Sequence, residues 1–189
     1  MLKILSLVIV FFSLNINLEE NTQSSKKYGI VGQEAPTFDV KQWIDKEGNP
    51  MEEAIQLTDN AGKVKVIYGF QSWCPGCHSH GLPALQKMVK VMEGNNEIAF
   101  LAIQTVFEGH SINTFDKIIE VQQKYDLKIP FGHDTGDEST RNRSNIMYHY
   151  RTGGTPWFII IDQDDKVIFN DFHVDVNKTI DLLKKLSSS

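Results

Sequence analysis

The chain has 189 residues, of which 41% are hydrophobic and 23% charged, enough for one domain with a packed core. Its net charge of −5 gives no reason to expect a nucleic-acid partner. Two cysteines cannot build a structural disulfide framework, and both fall in a single motif.

At the N-terminus, Lys3 precedes an apolar run from Ile4 to Leu14, broken only by Ser6 and Ser13, and a polar stretch from Asn15 to Lys27 follows. Residues 1–20 therefore read as a secretory signal peptide or an uncleaved N-terminal anchor. The run is shorter than the ~20 residues of a spanning helix, which favours the signal peptide, although no small-x-small cleavage site follows it. Both readings place the domain expected over residues 28–189 in the periplasm or another extracytoplasmic space, where thiol–disulfide chemistry is normal.

Gly32 to Phe38 closes the polar lead-in, and Phe38 and Val40 alternate with polar neighbours as in an edge strand. Lys46-Glu47-Gly48-Asn49-Pro50 is turn chemistry, and Leu57 to Lys63 is a loop that delivers the chain into the central strand. That strand, Val64 to Phe70, is short, apolar and β-rich, as a strand buried on both faces should be.

Trp73-Cys74-Pro75-Gly76-Cys77 follows directly. Pro75 suits the first position of a helix, where its missing N–H is not needed. Cys74 then stands at the N-cap, facing the free N–H groups and the positive end of the helix dipole. Both favour thiolate, so Cys74 is expected to be the attacking sulfur. Cys77, one turn on, is close enough to form a disulfide with Cys74, and no other cofactor is expected.

Leu82, Leu85, Met88, Val89 and Met92 recur at helical spacing; Pro83 should bend that helix and Gly94-Asn95-Asn96 should end it. Ile98 to Ile103 reads as a second buried strand. Phe115, Ile118, Ile119 and Gln122 mark a helix running to about Tyr125, and Leu127 to Phe131 a short extended piece. A helix is expected from about Ser139 to Tyr150, then strands at Trp157 to Ile161 and Val167 to Phe169 around a turn at Asp162 to Asp165. A last helix spans Val176 to Leu186. Strands alternating with helices indicate an α/β fold with a mostly parallel sheet flanked on both faces and an antiparallel final hairpin.

Four places in this order resemble the thioredoxin superfamily, and more narrowly the exported TlpA/ResA-like thiol–disulfide oxidoreductases. They are the Trp73–Cys77 motif after a buried strand, Gly153-Gly154-Thr155-Pro156 ahead of the Trp157 strand, the Gly-x-x-Ala-Pro-x-Phe pattern of Gly32 to Phe38, and Leu57 with Gly62-Lys63-Val64. The resemblance implies a thioredoxin-like fold with an inserted helix/strand segment from about Ile112 to His133. It also implies a cis bond before Pro156 that sets this proline against the disulfide, with the Thr155 backbone pairing to an extended substrate. Trp73 is expected to pack beside the disulfide and shield it. Implied partners are protein disulfides and a membrane thiol donor of the DsbD or CcdA kind.

The chain also departs from the family pattern. The buried aspartate that thioredoxin carries six residues before its first cysteine is Tyr68 here, and the glutamate often found three residues after the second cysteine is His80. Pro83 falls one place later than usual. His78 or His80 is the remaining candidate for a proton relay.

Two other chemistries use the same residues. Cys74-x-x-Cys77-His78 is the pattern of covalent haem, with Met88, Met92 or Met147 as a second axial ligand. Cys74, Cys77, His78 and His80 are soft ligands for copper or zinc, although ligands at one helix start are strained for tetrahedral closure, so no metal site is assigned. A peroxiredoxin-type peroxidase is excluded because Ile67 and Gln71 stand where its proline and hydroxyl residue belong. His133-Asp134 reads as a loop pair.

Overall fold

The computed structural model of the protein describes residues 27–188; the expected signal or anchor segment lies outside them. The elements are β1 (Gln42–Ile44), β2 (Val64–Phe70), a π-turn (Cys77–Gly81) continuing into α1 (Leu82–Val91), β3 (Ile98–Thr105), α2 (Asp116–Lys124), β4 (Phe131–Asp134), α3 (Asn145–His149), β5 (Trp157–Ile161), β6 (Val167–Asp171) and α4 (Val176–Leu186). They form a six-stranded sheet in the order β1-β4-β3-β2-β5-β6. β2, β3 and β4 run parallel; β5 pairs antiparallel with β2, β6 with β5, and β1 with β4. This is a thioredoxin-like fold, and β2 is its central strand.

All seven residues of β2 are buried, and the period of two divides their side chains between two cores. Val64, Val66, Tyr68 and Phe70 join Leu82, Leu85 and Met88 of α1, Ile118 and Val121 of α2, and Ile180 and Leu183 of α4. Ile67 faces the other way, with Ile146 of α3 and with Ile30, Phe38, Val40, Trp43 and Leu57 from the lead-in. Lys65 is fully buried on this strand, and its Nζ pairs with the Asp165 carboxylate. One charge inside the apolar run is thus met by the hairpin turn between β5 and β6.

Four expectations change. Phe38 and Val40 are buried but form no strand; Asp39 between them is left-handed (φ 51°), and the edge strand begins at Gln42. The extended piece after Leu127 becomes a strand only at Phe131. The helix expected from Ser139 shrinks to Asn145–His149, because Arg141 and Asn142 are left-handed (φ 57° and 55°) and Asp137 Oδ1 accepts the Ser139 N–H in a local turn. Ser144 then caps α3, its Oγ accepting from Met147 N at 3.2 Å. Pro83, expected to bend a continuous helix, instead lies in the first turn of α1, and the irregularity precedes it as the π-turn, where Leu82 N–H reaches the Cys77 carbonyl.

Candidate active site

The carboxyl end of β2 hands the chain to Trp73-Cys74 at the start of the helical segment. Both cysteines are free thiols. Cys74 is 7% exposed and Cys77 fully buried, so only Cys74 meets solvent. Cys74 Sγ accepts the Cys77 backbone N–H at 3.2 Å, the contact expected of an N-cap sulfur. It also donates to the Thr155 carbonyl at 3.7 Å. Burial, followed by the neighbouring Cys74 sulfur, pushes the Cys77 thiol from an ordinary 9.0 up to about 12. The two sulfurs therefore differ: Cys74 lies at the edge of the core and Cys77 wholly within it.

Pro156 follows a cis peptide bond and is buried. A Cβ on Gly76 would lie 3.4 Å from Pro156 Cδ, so the proline loop packs directly on the segment between the cysteines. Cys74, Cys77, Thr155 and Pro156, distant in sequence, therefore share one surface.

Below the cysteines, Tyr68 occupies the place of the family aspartate. Its Oη donates to the Cys77 carbonyl at 3.3 Å. Burial and the nearby thiols keep its hydroxyl well above the ordinary phenol range, so it is a fixed neutral donor. The ring fits because residue 81 is glycine: a Cβ there would lie 2.1 Å from Tyr68 Oη.

Neither relay histidine is unengaged. His78 Nε2 lies 2.6 Å from the Ser72 carbonyl, an acceptor only, so this nitrogen carries a proton. Its Nδ1 is 2.9 Å from Tyr125 Oη, and that hydroxyl also reaches the His78 carbonyl at 3.1 Å. His78 thus ties the active-site loop to the end of α2. His80 is exposed and paired with Ser79 Oγ at 2.7 Å; it lines a groove of about 400 Å³ with Pro156, Phe172 and His173. These engagements also count against the haem and metal readings. His78 has no free nitrogen for an axial bond, and Met88 and Met92 are packed in the core. Among the described residues no group of three or more His, Cys, Asp or Glu is placed to hold a metal ion.

Trp73 stands directly before Cys74 with much of its ring in solvent. It is 44% exposed, at the rim of a hollow of about 290 Å³ shared with Ile112, Lys117 and Lys124. Its loop is held by Asn113, which the sequence did not single out. Asn113 Oδ1 accepts from Ser72 N and Ser72 Oγ, both at 2.9 Å, and its Nδ2 donates to Gln71 Oε1 at 3.2 Å and to the Glu108 carbonyl at 3.1 Å. Behind it, His133 is buried on β4 with its Nδ1 3.1 Å from Gln104 Nε2, and burial lowers its proton affinity. Asp134 accepts the N–H groups of Asn145 and Ile146 at 3.0 and 2.9 Å. The expected loop pair is therefore a buried structural pair that starts α3.

The Redoxin family model matches residues 30–185 of this chain. Among solved structures, the chain is similar to the thioredoxin-like superfamily protein SPOA0173, at 30% identity and a TM-score of 0.71, covering 82% of this chain and 97% of that one. It is also similar to a thiol-disulfide isomerase from Corynebacterium glutamicum, at 28% identity and a TM-score of 0.70, covering 84% and 97%. The thioredoxin domain of a thiol-disulfide oxidoreductase from Bacteroides vulgatus shares the fold at 17% identity and a TM-score of 0.60, covering 82% and 98%. No curated protein matches the sequence.

Proposed function

We propose, from the premise that this chain belongs to the Redoxin family and is a thioredoxin-like thiol–disulfide oxidoreductase, that it acts outside the cytoplasm as a TlpA/ResA-like reductase of disulfides in exported proteins. The observation that supports the reading is the asymmetry of the two thiols: Cys74 at the helix start keeps 7% exposure, while Cys77 is fully buried and its proton affinity is raised by that burial.

The Cys74 thiolate attacks one sulfur of a substrate disulfide. The S–S bond breaks, one substrate sulfur leaves as thiolate and takes up a proton, and a Cys74–substrate mixed disulfide remains. Cys77 then loses its proton and attacks Cys74 Sγ. The second substrate thiol is released, and two electrons have passed from the dithiol to the substrate. Thr155 and Pro156 present backbone to the extended substrate, and Trp73 contributes apolar surface at the rim. His78 holds the loop, and no carboxylate relay is invoked. A membrane thiol donor of the DsbD or CcdA kind restores the dithiol.

Substitution of each cysteine tests the roles. Cys74→Ser should abolish reduction of insulin disulfides, and Cys77→Ser should accumulate mixed disulfides. Normal turnover by Cys77→Ser would end the two-cysteine mechanism. A redox titration sets the direction: a midpoint near thioredoxin's, about −270 mV, supports a reductase, and one near −120 mV an oxidant.

A further inference from the structure

A pocket of about 360 Å³, with neither cysteine in its lining, is formed by Lys27, Tyr28, Arg143, Met147, Tyr148, Arg151 and Thr152. Its lining carries three cationic side chains and no carboxylate, on a chain whose net charge is −5. None of the three makes an ion pair among the described residues. Arg151 Nη2 reaches only the Lys27 carbonyl, at 3.4 Å, and Lys27 Nζ stands 5.1 Å from the centre of the Tyr28 ring. The Arg143 guanidinium has no hydrogen-bond partner among the described residues.

One further observation points to a ligand. Thr152 Oγ1 is buried and has no hydrogen-bond partner, which is costly for a hydroxyl unless something supplies one. Tyr28 and Tyr148 are 37% and 65% exposed, so the mouth offers aromatic surface beside the charges.

We propose that this pocket binds a phosphate group carried on an organic body. Arg143 and Arg151 supply planar forked donors, which match phosphate oxygens two at a time. Lys27 adds a point charge, Thr152 a hydroxyl, and the tyrosine rings and Met147 contact the body of the ligand. Two sources share this chemistry: the head group of an anionic phospholipid and a soluble phosphate ester.

The test uses the full chain. Inorganic phosphate is titrated calorimetrically into the wild type, into Arg143→Glu/Arg151→Glu, and into Lys184→Glu as a control cation on the exposed face of α4. Saturable binding is expected in the wild type and in Lys184→Glu, weakened at least tenfold in the double variant. Thr152→Val should weaken it several-fold without touching the charges. Insulin reduction should be unchanged in every variant. Sedimentation with phosphatidylglycerol and phosphatidylcholine vesicles separates the sources. A selective loss of phosphatidylglycerol binding in the double variant identifies the lipid head group. Phosphate binding with no such difference identifies a soluble ester. Absence of saturable phosphate binding, or equal binding by the double variant, would overturn the site.

Discussion

Gly81→Ala isolates the Tyr68–Gly81 contact beneath the cysteines. Gly81 has ordinary helical angles (φ −67°, ψ −52°), so on helix propensity alone the change should stabilise by about 1 kcal/mol. The contact reverses that sign. The new methyl would lie 2.1 Å from Tyr68 Oη, 2.7 Å from Cζ and 2.8 Å from Cε2, and Tyr68 is fully buried between strand and helix. The ring cannot swing into solvent, so the helix or the strand must shift. Overpacking of this kind costs about 1–3 kcal/mol, and losing the bond to the Cys77 carbonyl adds about 1. The balance is a loss of about 2 kcal/mol, or a Tm lower by about 4–8 °C for a domain of this size. Urea and thermal unfolding of the oxidised protein measure it. Tyr68→Phe in the same chain removes the closest atom but leaves the two ring carbons, so rescue should be partial. A neutral or stabilising Gly81→Ala would refute the packing argument.

The reduced protein should lose stability in alkali. Cys77 keeps its proton to about pH 12 when folded but titrates near 9.0 when unfolded, so its contribution is full below pH 9 and falls as pH rises from there toward 12. The limiting slope is about 1.4 kcal/mol per pH unit; identical alkaline profiles for the reduced wild type and Cys77→Ser would contradict it. Asn113→Ala strips the Ser72 N–H of its partner and should cost about 2 kcal/mol in denaturant unfolding, with a shifted redox midpoint because the Trp73–Cys74 loop is released. An unchanged midpoint would reduce Asn113 to a packing residue. Asp165→Asn, which tolerates the local φ of 59°, leaves the buried Lys65 ammonium without a carboxylate and should cost about 2–3 kcal/mol. Lys65→Met should cost less, since the partly exposed Asp165 can be solvated; the reverse order in urea unfolding would show that the buried charge is not the costly partner.

The sequence made β2, the cysteine pair and the Thr155-Pro156 loop legible for a common reason: each is written in consecutive residues. A β-branched run, a proline at a helix start and a strand after Thr-Pro are local signals. The rest depends on partners far along the chain. Lys65 looks out of place within an apolar strand until the Asp165 turn is folded against it. Asn113, His133 and Asp134 have the composition of loop residues, yet they are buried, because Ser72, Gln104 and the start of α3 satisfy them. No helix starts at Ser139, since its polar residues fit a first turn as well as the Asp137 turn they form. Trp73 could not be placed from its neighbours, as its exposure depends on where the Gly109 loop lies, with a Cβ there 3.1 Å from the indole nitrogen.

The π-turn has a consequence of phase. An extra residue inside a helix leaves its axis in place but turns everything beyond it by roughly 100° relative to an uninterrupted count from Cys77. His80, which a count of three from Cys77 aligns with the family's glutamate, is thereby rotated out to solvent, and the buried position opposite Tyr68 passes to Gly81. The same slip places Pro83 one residue late. Equivalence along the chain and equivalence in space part company at Cys77. A carboxylate set at residue 80 would point into the groove beside Pro156, not toward the buried thiol. In this protein the two acidic positions of the resemblance hold Tyr68 and His80, and Gly81 beside the second is the gap that admits the tyrosine ring.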